Sequence, residues 1–315
     1  MKVGIVVAVH NGAQYLAEAI ESVVSQDYID WKMVIVDDGS SDDSLKISHS
    51  LCQLSSNIQV LHHDCCGVSK TRNRGADAQI ALGCDALLFL DQDDVLLPNA
   101  ISGLITCLTN HPEAVVAVGS ILPIDSGGEL LKESSWLNRS TEWHIKKYGQ
   151  CTFDTVSVRE LMYACSIATP GCCLIRTEAF KTANGFDTEI SMCEDWDLWL
   201  RMSQIGSLSR ISLPTLKYRY HQSNTHRAYD VRKYALARDR TRMNFLATLK
   251  TRSKAGIAAR EGYLASLAES IVFSKSETIS SIKSRDVKGV LRSIARSLAL
   301  TTRKANLRLR SAISR

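Results

Sequence analysis

The first 120 residues alternate short apolar runs with amphipathic stretches, and that alternation leaves few folds open. Val3–Val9 reads VGIVVAV with no polar break, the pattern of a strand covered on both faces. Residues 12–26 then set Tyr15, Leu16, Ala19, Ile20 and Val23 along one side of a helix. Further strands are predicted at 33–36, 58–61, 86–90 and 115–118, and helices at 42–54, 68–82 and from Pro98 to residue 110. Strands alternating with helices predict an α/β fold with a mostly parallel, doubly wound sheet. Such sheets bind ligands outside the carboxyl ends of their strands. This chain places polar residues there: His10-Asn11, Asp37-Asp38, and Asp91 to Asp94 follow the first, second and fourth runs.

Residues 120–225 are less regular. Gly127-Gly128 marks a hairpin turn, 171–175 a strand, Glu194 the start of a helix, and Pro214 precedes a strand near 216–220. From residue 230 the pattern is helical, interrupted by Gly256, Gly262 and Gly289. Charge divides at the same place. Residues 227–315 hold 21 Lys+Arg against 6 Asp+Glu, while the rest holds 17 against 27. The expected organisation is a catalytic domain at 1–225 and a basic helical extension at 226–315.

With 45% hydrophobic residues the chain can bury a large core, and no apolar stretch is long enough to span a bilayer. The opening MKVGIVVAVHNG is too short for an export signal and reads as the first strand. The ten cysteines, with adjacent pairs at Cys65-Cys66 and Cys172-Cys173, follow no CxxC or Cys/His ligand spacing. They are expected to be reduced thiols of a cytoplasmic protein.

Asp91-Gln92-Asp93-Asp94 puts three carboxylates in four residues. They repel one another unless they hold a divalent cation or a sugar ring, or simply precede a helix as an acidic N-terminal stretch. Asp37-Asp38-Gly39-Ser40 both caps a helix and offers acceptors to a nucleobase N–H or ribose hydroxyls. Arg72, in GVSKTRNRG, either reaches a pyrophosphate with paired N–H donors or joins a solvated basic face. Neither GxxxxGK[ST] nor GxGxxG is present, so phosphate-loop ATPases and dinucleotide enzymes lose support. Glu194 and Asp195 lie in a first helical turn, where the dipole stabilises negative charge, and either can face a cleft as a base toward an acceptor hydroxyl. His221 follows a strand among polar residues, as a ligand or a structural group.

Taken in order, VVAVHNGAQYLAEAIESVVSQDY, VIVDDGSSDDS, GVSKTRNRG, LFLDQDD, GFD with CEDWDLWLRM, and YRYHQSN resemble family-2 inverting glycosyltransferases across residues 1–225. The resemblance implies the GT-A nucleotide-diphospho-sugar transferase fold and transfer with inversion. It implies Asp195 as catalytic base, with Glu194 an acceptor-side candidate. It implies nucleotide-sugar contacts from His10, Asn11, Asp38, Arg72 and Asp91, with Asp38 at the base and Arg72 at the phosphates. Asp93 and His221 would hold Mn2+ or Mg2+ at the diphosphate. The implied donor is a nucleotide-diphosphate sugar, a UDP-sugar first, and the acceptor a glycan or lipid-linked glycan in cell-surface polysaccharide or lipopolysaccharide-type synthesis.

Two stretches depart from the family pattern. Ala8-Val9-His10-Asn11 stands where Pro-x-Tyr-Asn is usual, and His63-Asp64-Cys65-Cys66 replaces an Asn- or Gly-rich turn. Two other readings stay open. A sugar-nucleotide-forming nucleotidyltransferase needs a glycine-rich basic loop after the first strand, where this chain has HNGAQYL. A catalytically inactive scaffold of the same fold has no reason to keep Asp93, Asp195 and His221 together.

Residues 286–315 set Val287, Val290, Leu291, Ile294 and Leu298 in a helical stripe among Lys288, Arg292, Arg296, Arg303, Lys304, Arg308 and Arg310. This predicts a helix lying on an anionic membrane at the inner face of the plasma membrane, or packing on the acidic domain or a second subunit. The segment has no aromatic residue to stack on bases, so no nucleic-acid partner is expected.

Overall fold

The computed structural model describes residues 1–131, 155–222, 224, 231–250, 253–283 and 303–304. The stripe expected at 286–315 lies, apart from 303–304, outside the described residues. In chain order the elements are β1 (Val3–Val9), α1 (Leu16–Val24), β2 (Trp31–Asp38), α2 (Ser44–Leu51), β3 (Ile58–His63), α3 (Val68–Ala81), β4 (Ala86–Asp91), β5 (Val95–Leu96), α4 (Ala100–Asn110) and β6 (Ala114–Ile124). They continue with α5 (Val158–Tyr163), β7 (Cys173–Arg176), α6 (Thr177–Thr182), α7 (Glu194–Met202), β8 (Ser207–Arg219), α8 (Val231–Thr248) and α9 (Lys254–Lys283).

The described strands form one sheet of eight in the order β3-β2-β1-β4-β7-β6-β8-β5. The fold is α/β, and most of the sheet is parallel: β3, β2, β1 and β4 run together, and β6 runs with β8. β7 is antiparallel to both β4 and β6, and β5 to β8. A four-residue apolar run such as CLIR shows that it is buried but carries no signal of direction.

The core centres on β1, where Val3, Ile5, Val6 and Val7 have no exposed surface. α3 crosses this strand closely because Gly75 lacks a side chain. A Cβ there would come within 2.3 Å of Val6 Cγ1. The helix predicted from residue 12 begins at Leu16. The amides of Asn11, Gly12 and Ala13 are taken instead by Ser40 Oγ, Ser44 Oγ and Asp42 Oδ2, from the loop after β2 and the first residue of α2. The strand expected after Pro214 runs through it. Proline lacks a ladder N–H, and β6 and β8 shift register beside it, between Ser120 and Ile121.

The chain divides into two compact units. The first is Met1–Val156 with Ser166–Thr241 and holds the sheet. The second joins Ser157–Cys165 to the described residues from Arg242 onward. Within it, α9 runs unbroken past Gly256 and Gly262, which sequence pattern marks as interruptions. At Gly262 a Cβ would meet the Arg159 carbonyl at 2.1 Å, so this glycine lets α9 press against α5. No described helix is long and apolar enough to cross a membrane.

Candidate active site

Strand register brings the predicted site residues Asp38 and Asp91 to one edge of the sheet. Ala8 of β1 pairs with Asp91 of β4, and Val9 with Asp37 of β2. Asn11 (φ 51°) and Cys193 (φ 64°), two of the four described non-glycine residues in the left-handed region, flank this edge. Such conformations cost energy that the surrounding fold must outweigh.

Arg72, on the buried face of α3, binds two carboxylates at once. Its guanidinium donates to Asp91 Oδ1 at 2.6 Å and to Glu194 Oε1 at 2.9 Å, and lies 5.3 Å from the Phe186 ring centre. Burial disfavours its charge, but Asp91 and Glu194 outweigh burial and hold the group above its ordinary range. Thr169 Oγ1 donates to the other oxygen of Asp91 at 3.0 Å. Asp195, next to Glu194 in the first turn of α7, accepts the Trp196 amide at 2.7 Å. Burial, and then the Glu194 charge, push its carboxyl from an ordinary 3.8 up to about 7.

Asp93 and His221 form a second group, with Oδ2 2.7 Å from Nε2. His221 lies against the Tyr15 ring at 5.0 Å, and Asn224 donates to Asp93 Oδ2 at 3.5 Å. Burial and the neighbouring Asp91 push Asp93 upward. Asp94 is fully buried, with Oδ1 on the Arg219 amide at 3.0 Å and Oδ2 without a partner. Burial and then Asp93 push it well above the carboxylate range. Crowded carboxylates of this kind fit a divalent cation, whose charge would offset theirs. Among the described residues no further His, Cys or acidic donor lies within 4.8 Å of both Asp93 and His221. A cation there would complete its sphere with phosphate oxygens and water, as magnesium does.

Asp38 is nearly buried, and its carboxylate holds the turn into α3. Oδ1 accepts the Cys66 amide at 2.7 Å and Oδ2 the Gly67 amide at 3.0 Å. The His10 ring meets the Asp38 carbonyl at 2.9 Å, rather than its carboxylate. Asn11 Oδ1 accepts the Ser41 amide at 2.8 Å.

Several contributors escape the sequence. Gln92 brackets His10, accepting its amide at 2.8 Å and donating to its carbonyl at 3.1 Å. Buried Arg219 stacks on Tyr15 at 4.7 Å and pairs with Glu18 at 2.5 Å. Thr169 has no local signal at all, whereas Asn224 closes YRYHQSN and is readable as part of that string. The sequence shows no Cys/His ligand spacing, yet the fold sets Cys66 Sγ 3.0 Å from His63 Nδ1.

The sheet thus carries acids at the ends of β1's two neighbours and at the head of α7. The structure of residues 1–349 of Staphylococcus aureus TarS, crystallised with UDP-GlcNAc, superposes with a TM-score of 0.68 at 17% identity, over 98% of this chain and 81% of that one. The profile of glycosyl transferase family 2 matches residues 4–183, and the chain belongs to that family. An uncharacterised glycosyltransferase of Rickettsia bellii is 26% identical over 227 residues, 70% of this chain but only 30% of the relative's length. The putative glycosyltransferase EpsE of Bacillus subtilis is 24% identical over 219 residues, 65% of this chain and 68% of EpsE.

Proposed function

We propose that this glycosyltransferase moves a sugar from a nucleotide-diphosphate sugar, a UDP-sugar first, to a hydroxyl of a glycan or lipid-linked glycan, inverting the anomeric carbon. The observation that carries the reading is the place of Asp195 in the first turn of α7, beside the Arg72–Asp91–Glu194 group, where burial pushes its carboxyl up to about 7. A base poised near neutral pH removes a proton most effectively as the acceptor oxygen attacks. A single displacement needs one such base. Glycosidases instead use two carboxyl groups flanking the scissile bond. Asp195 takes the proton, and Glu194 beside it is tied to Arg72.

Arg72 holds Asp91 and Glu194 in place. The phosphate contact expected of it would use the N–H donors that those pairs leave over. Asp93 and His221 would hold Mn2+ or Mg2+, which when bound neutralises charge on the leaving diphosphate. His10, Asn11 and Asp38 would line the nucleoside side. A UDP-sugar donor is supported by TarS, crystallised with UDP-GlcNAc and with UDP. A role in cell-surface polysaccharide synthesis, and contact of residues 286–315 with an anionic membrane, complete the reading.

A thermal-shift series of nucleoside diphosphates, with and without manganese, tests it. Stabilisation by UDP that requires manganese and disappears in Asp93→Asn, with the unliganded melting point kept, is expected. An equal response to UDP in Asp93→Asn overturns the metal assignment, and no response to any diphosphate overturns the donor.

A further inference from the structure

The departure at His63-Asp64-Cys65-Cys66 builds something of its own. Register sets His63, the last residue of β3, directly opposite Asp38, the last of β2. The chain then turns back so that Cys66 faces both. Gly39 (φ 70°) allows the close approach, since a Cβ there would lie 2.7 Å from the Cys65 nitrogen. Cys66 Sγ is 3.0 Å from His63 Nδ1 and 3.9 Å from Nε2, and Asp38 Oδ1 is 3.7 Å from Nδ1. Donor atoms of all three side chains lie within 4.8 Å of one another.

We propose that Asp38, His63 and Cys66 form a site for a thiophilic divalent cation, zinc above all, separate from the Asp93–His221 pair. With Zn–S near 2.3 Å and Zn–N near 2.0 Å, tetrahedral geometry puts sulfur and nitrogen about 3.5 Å apart. The two observed sulfur–nitrogen distances bracket that figure. The Asp64 carbonyl, 2.9 Å from Nδ1, can hold the tautomer whose Nε2 carries the free lone pair. One thiolate, one imidazole and one carboxylate, with water in the fourth position, make a zinc donor set that magnesium and manganese disfavour. On binding, the Cys66 S–H bond breaks, its proton passes to solvent, and the sulfur pair forms the bond to the metal. No oxidation state changes. Cys65 and His10 gather with the same Asp38 carboxylate as a second, more exposed set.

The consequence for catalysis rests on the reading of Asp38 as the nucleobase contact: zinc here and the nucleotide then compete. The test uses the full chain with cobalt(II) as probe, in excess magnesium. Thiolate-to-cobalt charge-transfer absorption saturating at one equivalent, and abolished by zinc, is expected. Cys66→Ser removes the band, His63→Gln lowers cobalt affinity by about tenfold or more, and Asp93→Asn leaves the band unchanged. In the unmutated protein, zinc protects Cys66 from iodoacetamide more than the adjacent Cys65, resolved by fragment-ion sequencing of the one peptide that carries both, a readout that does not depend on variants folding. Absence of the band, or a band lost in Cys65→Ser and kept in Cys66→Ser, overturns the proposal. Adding UDP to the cobalt-loaded protein separates the two ideas. Loss of the band supports competition, while a band that persists with UDP bound counts against Asp38 at the base and leaves the cation site standing.

Discussion

At the end of β2, Asp37 and Asp38 find hydrogen-bond donors within the fold; at the end of β4, Asp91, Asp93 and Asp94 crowd one another. Asp37 is wholly buried, which alone would raise its carboxyl. The hydroxyl and amide of Ser40, with His62 at 2.9 Å, outweigh burial and hold it below the usual range. Asp38 is met by two loop amides. Across β1, Asp93 and Asp94 are pushed up by burial and by neighbouring acids, as is Asp195 at the head of α7. One residue type thus does two jobs. Carboxylates at the end of β2 also hold the loops around them in place, while those crowded after β4 hold the charge that a cation, a leaving phosphate or a proton in transit can use.

The largest effect should come from the crowded side. Asp195→Asn should lower the rate of transfer by roughly 10²–10⁴-fold while donor affinity stays near normal. Single-turnover kinetics set beside UDP binding check this, and a mutant that loses affinity but keeps its saturated rate makes Asp195 a binding residue.

Next is the cation that ties the crowded acids together. Arg72→Ala leaves Asp91 and Glu194 without the cation they share. Urea unfolding should show a loss of about 3–5 kcal/mol, with Arg72→Lys in between because an ammonium cannot fork to two carboxylates. A change under 1 kcal/mol would mean that water already satisfies those acids.

The third contrast is in pH. With Asp195 at about 7, kcat/KM should fall about tenfold per unit below that pH and level off above it. Its effect on stability runs the other way. The raised carboxyl favours the folded state fully below its ordinary 3.8, and that contribution is lost as pH rises through about 7. Asp195→Asn should therefore melt closer to wild type at pH 5 and above it at pH 8. A melting difference that does not change with pH would mean that burial does not perturb this carboxyl.

The smallest effect belongs to the end of β2. His62 is half exposed, so His62→Ala should cost only about 1 kcal/mol, read from the urea midpoint, with transfer unchanged. A large loss of activity would erase the distinction between the two strand ends.

What the sequence by itself determined is the alternation and the chemistry at its edges. VGIVVAV, VIVDD and LLFLD are apolar runs that must be buried and end in acids that must not be left unpaired, so their place at one sheet edge follows from local pattern. The head of α7 was legible for the same reason, as acids in the first turn of a helix with apolar residues to bury. Tertiary structure alone decided who meets whom. Arg72 lies 122 residues from Glu194 and 19 from Asp91, and nothing in GVSKTRNRG says that its charge is spent inward. His221 reaches Asp93 across 128 residues. The direction of β7, the passage of β8 through Pro214 and the pressing of α9 on α5 at Gly262 also depend on partners distant in sequence. Periodicity reports which face of an element is covered. Pairing, register and the balance between burial and neighbouring charge arise only when elements far apart in the chain are brought within a few ångströms, where desolvation makes each charge matter.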